Sequence, residues 1–158
     1  MNKHLFFFIG LVFLFITGHT QNAPISTLGT RTACQGGTAV VPLTVTGFTA
    51  IGAISLRMDY NPTLMTYSDT ANINSALSGI MINDVHVSAN LHRVMAIWSS
   101  LTPLTLASGA KLFDIKFTYI TGTPSFSFNT ISNGGSDCEF TDVIGNVLND
   151  EPAEMMLW

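Results

Sequence analysis

The chain is expected to be all-β, an antiparallel β-sandwich with jelly-roll topology. Three observations predict this. Beyond residue 20 apolar side chains recur at every second position, which is the signature of strands with one buried face. Clusters of turn-forming residues such as Asn133-Gly134-Gly135-Ser136-Asp137 and Gly145-Asn146 punctuate those stretches. Internal repeats, low-complexity linkers and heptads are absent, and the strands fall at spacings typical of a sandwich.

The elements follow in order. Residues 1–20 read as a secretory signal peptide. Lys3 supplies a positive n-region, residues 5–16 are an almost unbroken apolar run, and Gly18-His19-Thr20 offers small residues ahead of a cleavage point before Gln21. That run is too short for a bilayer-spanning helix, which needs about 20 residues. The mature chain is therefore expected to carry no membrane span and to be secreted or held at the cell surface. What remains, 21–158, is the right length for a single domain with a real core.

Val41, Leu43 and Val45 alternate with Val40, Pro42, Thr44 and Thr46, giving a first strand. Pro42 has no N–H for a ladder, so this strand is expected at an edge or with a bulge. Ile54, Leu56, Met58 and Tyr60 alternate with Ser55, Arg57 and Asp59 in a second strand. Residues 85–88 and 93–99 form an expected hairpin around Asn90, and the run Val94 to Trp98 is apolar on both faces, as in a central strand. Phe113, Ile115, Phe117 and Tyr119, then Phe126 and Phe128, supply two further inward sets. Helix is expected only as one or two turns after Asn61-Pro62 and after Thr102-Pro103, each a capping residue before a proline, with Gly109 ending the second.

Charge and cysteine content narrow the function. Without residues 1–20 the chain keeps five of six basic and all ten acidic residues, a formal charge of five minus ten, or −5. No basic stripe is present to neutralise phosphates, so nucleic acid is not an expected partner. Cys34 and Cys138 are expected to pair in an oxidising compartment. Closing their loop would remove about 4 to 5 kcal/mol of unfolded-chain entropy.

Chemistry-bearing patterns are sparse. There is no Gly-x-Ser-x-Gly elbow, no His-Glu-x-x-His and no glycine-rich phosphate loop, and Asp59 with Asp84 has only its carboxylates to suggest an acid and base pair. The chain is not expected to be an enzyme and needs no cofactor. Calcium is the one metal the composition suggests, because six of the ten acidic residues crowd into 137–158. Asp137, Asp142, Asn146 and Asp150 would be its oxygen ligands, although their spacing is not that of a calcium loop and 142–146 reads more simply as a hairpin turn. His86 and His92 would share a metal in only one hairpin register, and ordinary surface histidines are the simpler reading. Trp98 and Trp158 are the candidate sugar-stacking aromatics, with Trp98 leaning to the core because of its apolar neighbours.

The order of these features resembles the cohesin family. The stretch 40–67 places two alternating strands before a Tyr60-Asn61-Pro62 corner where cohesins have Tyr-Asp-Pro, and Ser108-Gly109-Ala110-Lys111-Leu112-Phe113 leads into a long strand as in the family's later core. The resemblance covers about 38–148. It implies non-catalytic adhesion through a dockerin-type protein partner, on a fold also similar to several carbohydrate-binding modules. A polysaccharide ligand and a structural spacer are the alternatives. The implied partner face is the outside of one sheet, for which alternation nominates Arg57, Asp59, Arg93, Asp114 and Lys116. The sequence stops at Met155-Met156-Leu157-Trp158, within what the resemblance makes the last strand, so the domain is expected to be incomplete there or to belong to a longer chain.

Overall fold

The computed structural model describes residues 21–129 and 138–148. Two antiparallel sheets built from nine strands face each other: β1 (Ile25–Leu28), β2 (Thr38–Thr46), β3 (Ile51–Tyr60), β4 (Met65–Ala71), β5 (Met81–Ser88), β6 (Leu91–Leu104), β7 (Ala110–Tyr119), β8 (Phe126–Phe128) and β9 (Glu139–Thr141). One sheet has the order β1-β2-β7-β4; the other runs β5-β6-β3-β8, with β9 also on β3. The architecture is a β-sandwich of jelly-roll type.

The core follows the alternation except at Tyr119 and Phe128, which are half-buried. Val41, Leu43, Val45, Ile54, Leu56, Met58, Tyr60, Phe113, Ile115, Phe117 and Phe126 are all buried between the layers. At one end Phe117 of the four-stranded sheet meets Tyr60 and Phe126 of the other edge to face, with ring centres 5.1 Å and 4.9 Å away. Such contacts add to area burial. They also fix the direction of the Tyr60 hydroxyl.

Pro42 behaves as one of its two alternatives requires. The strand β2 is not an edge, because β1 covers it, but its register with β7 shifts between Leu43 and Thr44. The Pro42 carbonyl accepts from Gly29 N at 2.9 Å, just past the end of β1. A residue's N and O point to the same side of a strand, so the missing N–H of Pro42 faces the place where β1 has already ended.

One of the two expectations on helix is corrected. The Thr102-Pro103 pair lies inside β6, and Gly109, at φ 76°, turns the chain directly into β7. Beyond Ser99 the β3 and β6 register slips, so this part of β6 is not held in a continuous ladder and tolerates Pro103. After Asn61-Pro62 there is one hydrogen-bonded turn, closed by Leu64 N and Met65 N on Asn61 O and capped by Asn61 Oδ1 on Thr63 N at 2.9 Å. A short 3-10 turn at Ser75–Leu77 is the remaining helical element among the described residues.

The expected disulfide is also corrected: Cys34 and Cys138 are not bonded to each other. Their positions explain it. Cys34 is exposed in a turn closed by Gly37 N on Cys34 O and tied to Tyr119 of β7, in the four-stranded sheet. Cys138 belongs to the other sheet. There β8 and β9 share one edge of β3, pairing with 58–60 and 53–55, and between them Arg57 N donates to Cys138 Sγ at 3.3 Å while the thiol donates back to Arg57 O. The sulfur fills a gap in the ladder. The signal-peptide and C-terminal expectations lie outside the described residues, and no helix among the described residues is long and apolar enough to cross a membrane.

Candidate functional site

The outward face of the five-stranded sheet is where the candidate residues collect. Register places three cross-strand rows on it: Met81, Ile97, Ser55 and Glu139; Asn83, Met95 and Arg57; and Val85, Arg93, Asp59 and Ser127. Neighbours in a row stand within side-chain reach of one another. The β5 and β6 side of this face is apolar, with Met81, Val85 and Ile97 exposed. The β3 side is charged.

Arg93 and Asp59 form the centre of the charged side. The guanidinium donates Nε to Oδ1 at 2.6 Å and Nη2 to Oδ2 at 2.9 Å, a two-point pair that arginine's planar fork favours. That hydrogen bond, acting against partial burial, raises the guanidinium above its already high ordinary value.

The five nominated residues do not form one face. Arg57, Asp59 and Arg93 do, but Asp114 and Lys116 are on β7 in the other sheet. Asp114 is moreover buried, accepting from Asn72 Nδ2 at 2.6 Å and Lys111 Nζ at 3.0 Å. Lys116 reaches Asp69 on β4 at 3.5 Å. Alternation within a strand reports which side faces solvent and is silent on which layer the strand joins.

The remaining candidates are placed as follows. Trp98 is 5% exposed and donates Nε1 to Ser78 O at 3.2 Å, so its ring is core and not a platform for a sugar. Asp142 is an Asx-type loop hub: Oδ1 accepts from Ile144 N and Asn146 N at 2.9 Å each, and Oδ2 from Asn146 Nδ2 at 2.8 Å. Its oxygens are therefore turned to the protein, and Asn146 serves as a donor; this is the hairpin reading of 142–146, not a calcium loop. Asp137, Asp150 and Trp158 lie outside the described residues. Asp59 and Asp84 project from opposite faces of their sheet, Asp59 beside Arg93 and Asp84 on the Tyr60 hydroxyl, so they form no acid and base pair. No cluster of three or more His, Cys, Asp or Glu suited to a metal occurs among the described residues.

Sequence reasoning missed the apolar part of the face. Its signal was present in Met95 and Ile97, apolar residues on the wet phase of a strand, which were absorbed into the reading of a central strand. It also missed the Tyr60, Asp84 and His92 network, because those residues come from three strands.

No family model matches the chain, and no curated protein matches it. Solved structures do. The sixth cohesin of Acetivibrio cellulolyticus scaffoldin B, solved in complex with a dockerin, superposes with a TM-score of 0.62 at 14% identity, over 82% of this chain and 94% of that one. The cohesin fold is this chain's fold. A type II cohesin module from the ScaA scaffoldin of the same organism gives 0.59 at 15% identity, over 80% and 83%. A non-cellulosomal cohesin from the archaeon Archaeoglobus fulgidus gives 0.54 at 23% identity, over 80% and 83%. The cohesin resemblance read from the Tyr60-Asn61-Pro62 corner and the strand order is thus a resemblance of fold.

Proposed function

We propose that the chain is a non-catalytic binding module that captures a dockerin-type protein on the outward face of its five-stranded sheet. The observation that carries this is the composition of that face: exposed Met81, Val85 and Ile97 beside the charged set Arg57, Asp59 and Arg93. An apolar patch with a polar border is how a non-obligate protein interface is built. Solved cohesins of the same fold include one held in complex with a dockerin. A single domain over 21–158, exported by residues 1–20 and working outside the cell, completes the reading. Of the two candidate sugar-stacking aromatics, Trp98 is core and offers polysaccharide no platform.

The test is capture of purified dockerins by the immobilised chain, with calcium and then with chelator. Capture in calcium that Ile97→Asp abolishes supports the proposal, the variant being exposed and free of core packing. Capture unaffected by Ile97→Asp moves the interface elsewhere, retention on polysaccharide alone replaces the reading, and an empty surface in both buffers leaves a spacer.

A further inference from the structure

We propose that His86 and His92 are a chelating pair for a divalent cation of the zinc class, set in position by Asp84 and Tyr60. This site is separate from the proposed partner face and does not depend on it. The two histidines are directly opposed in the antiparallel register of β5 and β6, the one register in which they could share an ion. Their ring centres are 5.1 Å apart with the planes at 83°. An ion bonded at about 2.1 Å to one nitrogen of each ring sits ~3.2 Å from each ring centre, and a tetrahedral angle then separates the centres by ~5.2 Å. The ring separation matches that of two imidazoles sharing one ion.

The surroundings of His92 are those of a metal ligand with its supporting shell. Nδ1 lies 2.9 Å from Asp84 Oδ2. Facing an ionised carboxylate, which only accepts, the neutral imidazole holds its proton on Nδ1 and presents the Nε2 lone pair to a cation. The other carboxylate oxygen, Oδ1, accepts from the Tyr60 hydroxyl at 2.9 Å. Tyr60 is fixed in turn by core aromatics and by Tyr67 N on its oxygen at 3.4 Å. A carboxylate bonded to the far nitrogen of an imidazole sets its tautomer and direction and makes it a better ligand.

His86 stands exposed on the edge strand β5, open to an ion arriving from water. Two imidazoles select zinc, nickel or copper over calcium and magnesium, which require oxygen. With no third ligand in the described residues, water fills the other positions.

Zinc titration of the full chain, followed by calorimetry and by the imidazole nitrogen resonances, tests the site. The background is His4→Ala/His19→Ala, which leaves His86 and His92 as the remaining two of four histidines. Saturable binding of one zinc that shifts Nε2 of His92 and a nitrogen of His86 is expected. His86→Ala and His86→Gln should each abolish it without moving the urea midpoint, and Asp84→Asn should weaken it about 10- to 100-fold. Zinc binding that survives both His86 substitutions, or imidazole resonances unmoved at millimolar zinc, overturns the proposal.

Discussion

Arg93 on β6 and Asp59 on β3 are register partners that close a two-point ion pair on the outer surface of the five-stranded sheet, with both side chains about four-fifths shielded from solvent. Shielding makes the pair costly to halve. Asp59→Ala should lower stability by about 1 to 3 kcal/mol, because a charged donor is left facing a half-dry surface. Arg93→Lys should not restore the native value, since an ammonium cannot bridge both carboxylate oxygens. The double variant Asp59→Ala/Arg93→Ala should lose less than the sum of the single ones. Urea midpoints of the four proteins check this, and strict additivity would refute the coupling.

Asp114 should make stability pH-dependent in the acid range. Burial works to raise its carboxyl pKa, but the bonds from Asn72 and Lys111 outweigh it and hold the group below its usual value. The folded value therefore lies under the unfolded one of about 3.9. The stabilisation is present above that pH and lost as the pH falls through the folded value. Asp114→Asn should be the less stable protein at pH 7, with the difference shrinking on acidification. Parallel stability profiles from neutral to acid pH would contradict this.

Gly52 lies where the turn after β9 crosses the start of β3. A Cβ there would run into the backbone of Asp142 and Val143, which has no flexible end to move aside. Gly52→Ala should cost about 1 to 3 kcal/mol by overpacking. Hydrogen exchange should speed up in β9 and residues 142–148 while the β2 and β7 ladder keeps its protection. An unchanged exchange pattern would count against the close approach.

Thiol titration checks the absence of a bond between Cys34 and Cys138. The native protein should give two reactive thiols, Cys34 alkylating quickly from its exposed turn and Cys138 slowly from its place on the β3 edge. Cys138→Ser should be better tolerated than Cys138→Leu, because a hydroxyl can take over both contacts to Arg57. A protein with no titratable thiol until reduced would restore the disulfide.

The parts of this fold legible in the sequence are those where a strand separates core from solvent. Val41, Leu43 and Val45, and Ile54 to Tyr60, announce themselves because each buried residue is flanked by a wetter one. The strand β1 escaped notice because its inward positions are Ser26 and Leu28, and a serine breaks the apolar beat. Pro103 was misread as a helix start, since a proline after threonine looks the same in a loosely paired strand end as in a cap. Asp114 and Lys116 alternate correctly with the core and still miss the candidate face, because the pairing of β7 with β2 and β4 is a long-range fact. The Tyr60, Asp84 and His92 network needs three strands in register, and spacing along the chain carries no trace of that.

The pairing of β2 with β7 joins Thr38 to Thr118, and β3 reaches forward to β6, β8 and β9. Of the principal ladders, only the β5 and β6 hairpin closes over a short loop. Loop closure across such distances must precede the contacts that reward it, which places folding on a scale of roughly milliseconds to seconds. A chain emerging from its N-terminus cannot complete either sheet until the residues near 118 are free. Until then the inward apolar faces of β2 and β3 lack a complete opposing layer, and need restraint from sticking to one another or to their neighbours.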